Sequence, residues 1–192
     1  EYDVNGTPGL YAITTDADGE RSFTYWRDQS AARKMFQTTQ GPNFGALKGY
    51  DVLYLSGISL AILPQETRET LLEWLAGYQS RGGRVVYDSN HRPKLWPDAE
   101  TAQKVNAEMW AIADIALPSI DDEAVLSGES PDEIAARFLR LGKTGALKRG
   151  PSGPLCLATG AVYDYRQAAR VVDTTAAGDS FNGGYLGALF QG

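Results

Sequence analysis

The stretch Val171-Val172-Asp173-Thr174-Thr175-Ala176-Ala177-Gly178-Asp179-Ser180-Phe181 gathers the residues best suited to chemistry. A strand is predicted to end at Asp173, small residues turn the chain, and a helix is predicted to begin near Gly178. Small side chains leave backbone N–H groups open at a helix N-terminus, where they favour an anion such as a phosphate. Asp179 falls in the first turn, within reach of whatever those amides hold. A carboxylate beside a phosphoryl group can take the proton from an attacking hydroxyl. The same residues also fit a plain helix start, with Asp179 complementing the dipole and Thr175 as the cap.

The elements that would carry this stretch alternate along the chain. Residues 10–15 and 21–27 are β-prone and flank the turn-forming Asp16-Ala17-Asp18-Gly19, so they read as a hairpin. Residues 51–57 form a short apolar strand. A helix over 64–81 follows, with Leu71, Leu72, Leu75 and Tyr78 on one face and Gly82-Gly83 as its stop. Strands are predicted at 84–88, 114–117 and 146–149, with a helix at 98–113 between the first two. Ser130-Pro131-Asp132-Glu133 reads as a capping box with proline in the first turn of another helix. Residues 155–158 with 161–165 suggest a second hairpin. This alternation predicts βαβ units, a parallel sheet and helices on both faces. Ligands bind outside the carboxyl ends of the strands in such sheets, so the residues after each strand are the ones to inspect.

The 192 residues suffice for one domain, and 43% apolar with 22% charged residues is the composition of a globular chain. A net charge of −6 argues against a nucleic-acid partner, and leaves anion binding to a local cluster of arginines, lysines and amides. No apolar run is long enough to cross a membrane. The single Cys156, in an apolar strand-like stretch, reads as a buried inert thiol and fits the reducing cytoplasm. With one histidine, His91, zinc sites and serine–histidine hydrolysis are improbable, which leaves a carboxylate as the base. Gly142-Lys143-Thr144 is no phosphate loop, because Arg137 stands where that motif needs glycine.

The stretch around Asp179 resembles the D-T-x-[GA]-A-G-D signature of ribokinase-like (PfkB) carbohydrate kinases, which Phe181, Asn182, Gly183 and Gly184 continue. The resemblance implies a ribokinase-like three-layer α/β sandwich with a parallel-rich central sheet and a small β lid. Residues 1–192 would be one such domain, incomplete at both ends, with residues 9–30 in the lid. It implies Asp179 as catalytic base and the N–H groups of Ala176, Ala177 and Gly178 as the anion hole. ATP with Mg2+ would be the cofactors. Asp173 and Thr175 match positions beside a monovalent cation, K+, in some members. Ser119-Ile120-Asp121-Asp122 stands where many members carry N-x-x-E near magnesium-bound water; Asp122 supplies the acid, and the amide is missing.

Within the family, three segments resemble the branch that phosphorylates 2-keto-3-deoxygluconate. Gly9-Leu10-Tyr11 and Phe23-Thr24-Tyr25-Trp26-Arg27 look like its lid, in which tyrosine and arginine touch the sugar acid. Asp88-Ser89-Asn90-His91-Arg92-Pro93-Lys94-Leu95-Trp96 looks like its D-x-N-x-R-x-x-L-W run. The resemblance implies Tyr11, Tyr25, Arg27 and Arg92 at the substrate and Asn90 and Arg92 at the nucleotide. The residue chemistry agrees, since Arg27 and Arg92 could pair a carboxylate. Lys148-Arg149-Gly150-Pro151-Ser152-Gly153 resembles the K-x-G-x-x-G turn that lines ATP, implying Lys148, Gly150, Gly153, Ala177 and Gly178 there; it also fits a plain turn. The alternatives are a kinase of the same fold acting on fructose, ribose or a nucleoside, and a non-catalytic sugar or nucleotide sensor. The aromatic lid suggests a homo-oligomer.

Overall fold

The computed structural model describes residues 6–15, 21–166, 169, 171 and 173–191. The chain opens on an antiparallel hairpin of β1 (Leu10–Thr15) and β2 (Arg21–Trp26), with Tyr11 opposite Tyr25 and Ile13 opposite Phe23. The turn at 16–19 lies outside the described residues. A minimal hairpin of β3 (Gln37–Thr38) and β4 (Gly41–Pro42) leads to the layered part. There follow β5 (Val52–Ser56), α1 (Gly57–Ile62), α2 (Gln65–Ser80), β6 (Arg84–Asp88), α3 (Ala99–Ile112) and β7 (Ile115–Ala116). The chain continues through α4 (Ile120–Ser127), α5 (Pro131–Leu141), β8 (Thr144–Leu147), β9 (Leu155–Cys156) and α6 (Ala177–Gln191).

The five strands β5 to β9 form one sheet in sequence order, parallel from β5 to β8 and antiparallel at β9. Consecutive parallel neighbours joined by crossovers of one hand place those crossovers on one face. Side-chain alternation sorts the strands accordingly. Val85 and Tyr87 pack with Leu71, Leu75, Met109, Trp110, Ile134 and Phe138 of α2, α3 and α5. Val86, Ile115 and Leu117 point the other way, with Val52, and meet Phe181, Tyr185 and Leu186 of α6. Helices therefore cover both faces, and α6 is the one that brings the signature stretch to the sheet.

Local signals explain the boundaries. Asp98 caps α3 by accepting the Thr101 N–H at 2.7 Å, and Ser130 with Glu133 closes the capping box of α5. Gly128 and Gly142 end α4 and α5 in the left-handed conformation.

Several expectations are corrected. The strand predicted at 146–149 is Thr144–Leu147, because the Lys148 N–H and carbonyl turn to Pro118 and Ile120. The strand predicted at 114–117 shortens to Ile115–Ala116. The second hairpin contracts to β9 and a single bridge from Leu155 to Val162, because the Cys156 N–H already reaches Ala161 within a tight turn. Val171 and Asp173 lie outside any strand, and Val172 between them is outside the described residues. Cys156 is half-buried, and a hydrogen bond with the Thr159 side chain holds its thiol below the usual range. Helix α1 begins at Gly57, where a side-chain Cβ would stand 1.9 Å from the Ser89 carbonyl oxygen. That glycine lets the ends of β5 and β6 close together.

Candidate active site

A cavity of about 600 Å³ opens at the carboxyl end of the parallel strands. Asp88, Asn90 and Arg92 enter it after β6, Asp121 and Asp122 from α4, Lys148, Arg149 and Gly150 after β8, and Ala176, Ala177, Gly178 and Asp179 from the start of α6. Asp88 and Asp179, 91 positions apart, thus share one cavity because the strand ends and the start of α6 meet at the same edge. Asn90 and Ala176 both adopt positive φ, at 33° and 57°, and both line the cavity.

The first turn of α6 is tightly defined. The Ser180 N–H reaches the Ala176 carbonyl at 2.8 Å as the first helical bond. The amides of Gly178 and Asp179 therefore precede the helical ladder and have no partner among the described residues. The Ala177 N–H is different. It donates to Thr174 O at 3.1 Å, so the predicted anion hole of Ala176, Ala177 and Gly178 loses its middle amide to the turn, while Asp179 offers its own.

Beneath this turn lies a buried network. Asp88 is only 2% exposed. Its Oδ1 forms an ion pair with Lys148 Nζ at 3.0 Å and accepts the Asn90 N–H at 3.2 Å. Its Oδ2 accepts from Asn182 Nδ2 at 2.6 Å and the Tyr54 hydroxyl at 3.3 Å. Asn182 completes the set by accepting from Lys148 at 3.1 Å and donating to Tyr54 at 3.1 Å. Burial, and next the Asp88 carboxylate, push the Tyr54 hydroxyl up to about 12, so it stays a donor. Tyr54 and the roles of Asp88 and Asn182 escaped the sequence reading. The available signal was a carboxylate ending a parallel strand.

The other predicted residues divide. Arg92 stands at the cavity with one guanidinium nitrogen 3.6 Å from Asp122 and bonded to the His91 carbonyl. Gly150 lines the cavity and Gly153 does not: Gly153 has φ 73°, and a Cβ there would meet the Tyr165 ring, so it serves the turn. Thr174 lines the cavity, whereas Asp173 and Thr175 flank it, the Thr175 N–H donating to the Asp173 carboxylate at 2.7 Å. Tyr11, Tyr25 and Arg27 share one face of the hairpin, with the Arg27 guanidinium 4.1 Å above the Tyr25 ring, and are not among the residues lining the cavity. Among the described residues no group of three or more His, Cys, Asp or Glu side chains is placed to hold a metal ion. A magnesium ion would fit here as a phosphate-bound ion in water, next to Asp121 and Asp122, and not as an ion in a protein cage.

A parallel-rich sheet covered by helices on both faces, its strand ends meeting an open helix N-terminus, defines a layered α/β protein. The chain belongs to the pfkB family of carbohydrate kinases, which it matches over residues 1–192. It is 42% identical over 198 residues to the 2-dehydro-3-deoxygluconokinase of Escherichia coli K12, covering 98% of this chain and 63% of that protein. The chain thus spans less than two thirds of that relative's length. Among solved structures, it superposes on a PfkB protein from Polaromonas sp. JS666 with TM-score 0.74 and 24% identity, over 98% of this chain and 62% of the other. It superposes on a Vibrio cholerae fructokinase solved with fructose, ADP and calcium ion at TM-score 0.71 and 25% identity, over 96% and 59%.

One consequence concerns Asp122. Desolvation outweighs the nearby Arg92 guanidinium and raises its carboxyl above the usual range. A carboxyl raised on folding contributes stability below its unfolded pKa and loses it as pH rises through the folded value. Asp122→Asn should therefore raise Tm at pH 7 and leave it nearly unchanged at about pH 3, as thermal melts at both values will report.

Proposed function

We propose that the whole protein transfers the γ-phosphoryl group of ATP to a hydroxyl of 2-dehydro-3-deoxygluconate (2-keto-3-deoxygluconate), a small sugar acid. The observation that carries the reading is Asp179 in the first turn of α6, facing the cavity beside amides that precede the helical ladder. In this reading Asp179 takes the proton of the sugar hydroxyl as its oxygen bonds to the γ-phosphorus. The bond from that phosphorus to the β–γ bridging oxygen breaks, and ADP leaves with the electron pair. The Gly178 and Asp179 amides stabilise the oxygens of the group in transfer. Lys148, Arg149 and Arg92 add positive charge to the same cavity. Bound magnesium would neutralise phosphate charge. Asp173 and Thr175, already joined to each other, remain the candidates for a nearby K+.

Asp179→Ala in the full-length enzyme should lower kcat by about 10²–10⁴ with sugar binding largely kept. A near-parental kcat would remove Asp179 from the reaction.

The sugar-acid specificity rests on two arginines, since a neutral sugar offers them no carboxylate. In the assembled enzyme the face bearing Tyr11, Tyr25 and Arg27 would close over the sugar. Arg27→Ala and Arg92→Ala should each weaken binding of the keto acid by roughly 1.5–3 kcal/mol and barely affect a neutral sugar. Steady-state KM values for both substrates decide this, and faster phosphorylation of fructose or ribose by the parent would overturn the specificity.

The opposite hairpin face bears Leu10 and Trp26, paired across the strands and largely exposed. Such apolar area suits a second copy of the chain. Sedimentation of the full-length enzyme should give an oligomer that Trp26→Asp dissociates; an unchanged oligomer would place the contact elsewhere.

A further inference from the structure

We propose that Asp88 is the positioning residue of this site, fixing through Lys148 and Asn182 where the first turn of α6 stands against the end of β6. The activity readout of this inference rests on the kinase reading above; its structural readout does not.

An ionised carboxylate offers about four lone-pair sites. Asp88 meets four groups, two at each oxygen: Asn90, Asn182 and Tyr54 as hydrogen-bond donors and Lys148 as an ion pair. With both oxygens filled and 2% exposure, Asp88 has no free site for a substrate proton. It lines the cavity floor without being equipped to act as its base.

The four partners come from four segments: β5, the turn after β6, the turn after β8, and α6. A buried carboxylate is tolerated only while its partners stay in place. The three strand ends and the helix therefore cannot shift independently without uncovering that charge.

Asn182 carries the constraint to the reacting end. Its carbonyl oxygen takes the Lys148 ammonium while its amide nitrogen serves Asp88 and Tyr54. The flipped amide would set NH2 against the ammonium and oxygen against the carboxylate, so one orientation alone is acceptable. Asn182 follows Asp179 by three residues and lies on the same helix face. Turning α6 by one residue would tear Asn182 from Asp88 and swing Asp179 out of the cavity. Lys148 is held at the same place, since a Cβ on Gly178 would lie 3.9 Å from its Nζ.

The test uses the full-length protein and the sugar that the parent phosphorylates fastest. Asp88→Asn keeps the shape and removes the charge; Asn182→Ala cuts the helix end of the network and leaves the ion pair. Each should lower kcat about 10–100-fold, the scale of a small misplacement of catalytic groups, with KM for the sugar changed less than about threefold. In NMR spectra the Gly178 and Asp179 amide resonances should move while those of α3 stay. A cooperatively folded Asp88→Asn protein with kcat within about threefold of the parent, or with both amides unmoved, overturns the proposal. Should Asp88→Asn fail to fold, Asn182→Ala decides by the same measures. If the parent phosphorylates no sugar, the kinase reading falls, and the amide shifts alone decide the role of Asp88.

Discussion

A carboxylate held out of water at the end of β6 constrains everything around it. Strand alternation turns Asp88 toward α6, along with Val86 on its own strand and Tyr54 on β5. The parallel register then sets Ser56 beside Asp88, and the glycine after Ser56 allows the two strand ends to approach. A charge in such surroundings demands ordered partners, and each partner belongs to a different part of the chain. Buried ion pairs contribute little net stability against an apolar replacement. Their effect here is to make one arrangement of the strand ends and the helix better than its near neighbours.

The same edge gathers positive charge on an acidic chain. The chain carries a net charge of −6, yet Arg92, Lys148 and Arg149 meet at a single cavity with a helix N-terminus. Lys148 already has a carboxylate partner, so its charge is held in place before any ligand arrives. Asp121 and Asp122 line the same cavity, Asp122 beside Arg92, and keep it from being uniformly positive. That mixture suits a ligand whose phosphates travel with a cation.

Much of this was legible in the sequence because the decisive signals were local. The apolar face of α2, the capping box of α5, strand β6 at 84–88 and the small-residue turn before Asp179 each lie within a few consecutive residues. Helices α1 and α4 were missed because they are 6 and 8 residues long, too short to establish a period. In addition, Gly57 reads as a strand stop, and its tertiary contact with Ser89 is invisible in sequence. The network of Tyr54, Asp88, Lys148 and Asn182 joins residues 34 to 128 positions apart, which no spacing rule reports. The middle amide of the anion hole was lost to a turn whose hydrogen bond depends on backbone angles, with Ala176 in the left-handed region. The hairpin itself was legible from two β-prone runs around a turn-forming tetrapeptide, and strand alternation sets Tyr11, Tyr25 and Arg27 on one of its faces. Their distance from the cavity lining follows from a hairpin whose strands pair with each other and not with the five-stranded sheet.

Helix α6 does two jobs that are usually separate. Among the described residues it is the helix packed on Val86, Ile115 and Leu117, and its first turn is also the wall of the cavity. Shedding it would expose the second core and dismantle the site in one event. The free energy of that local opening is then shared by solvent exchange at the sheet and by competence at the cavity. A ligand that grips the first turn would slow amide exchange in β6 and β7, strands it need not touch. Occupancy of the site would be recorded in the protection of the sheet beneath it.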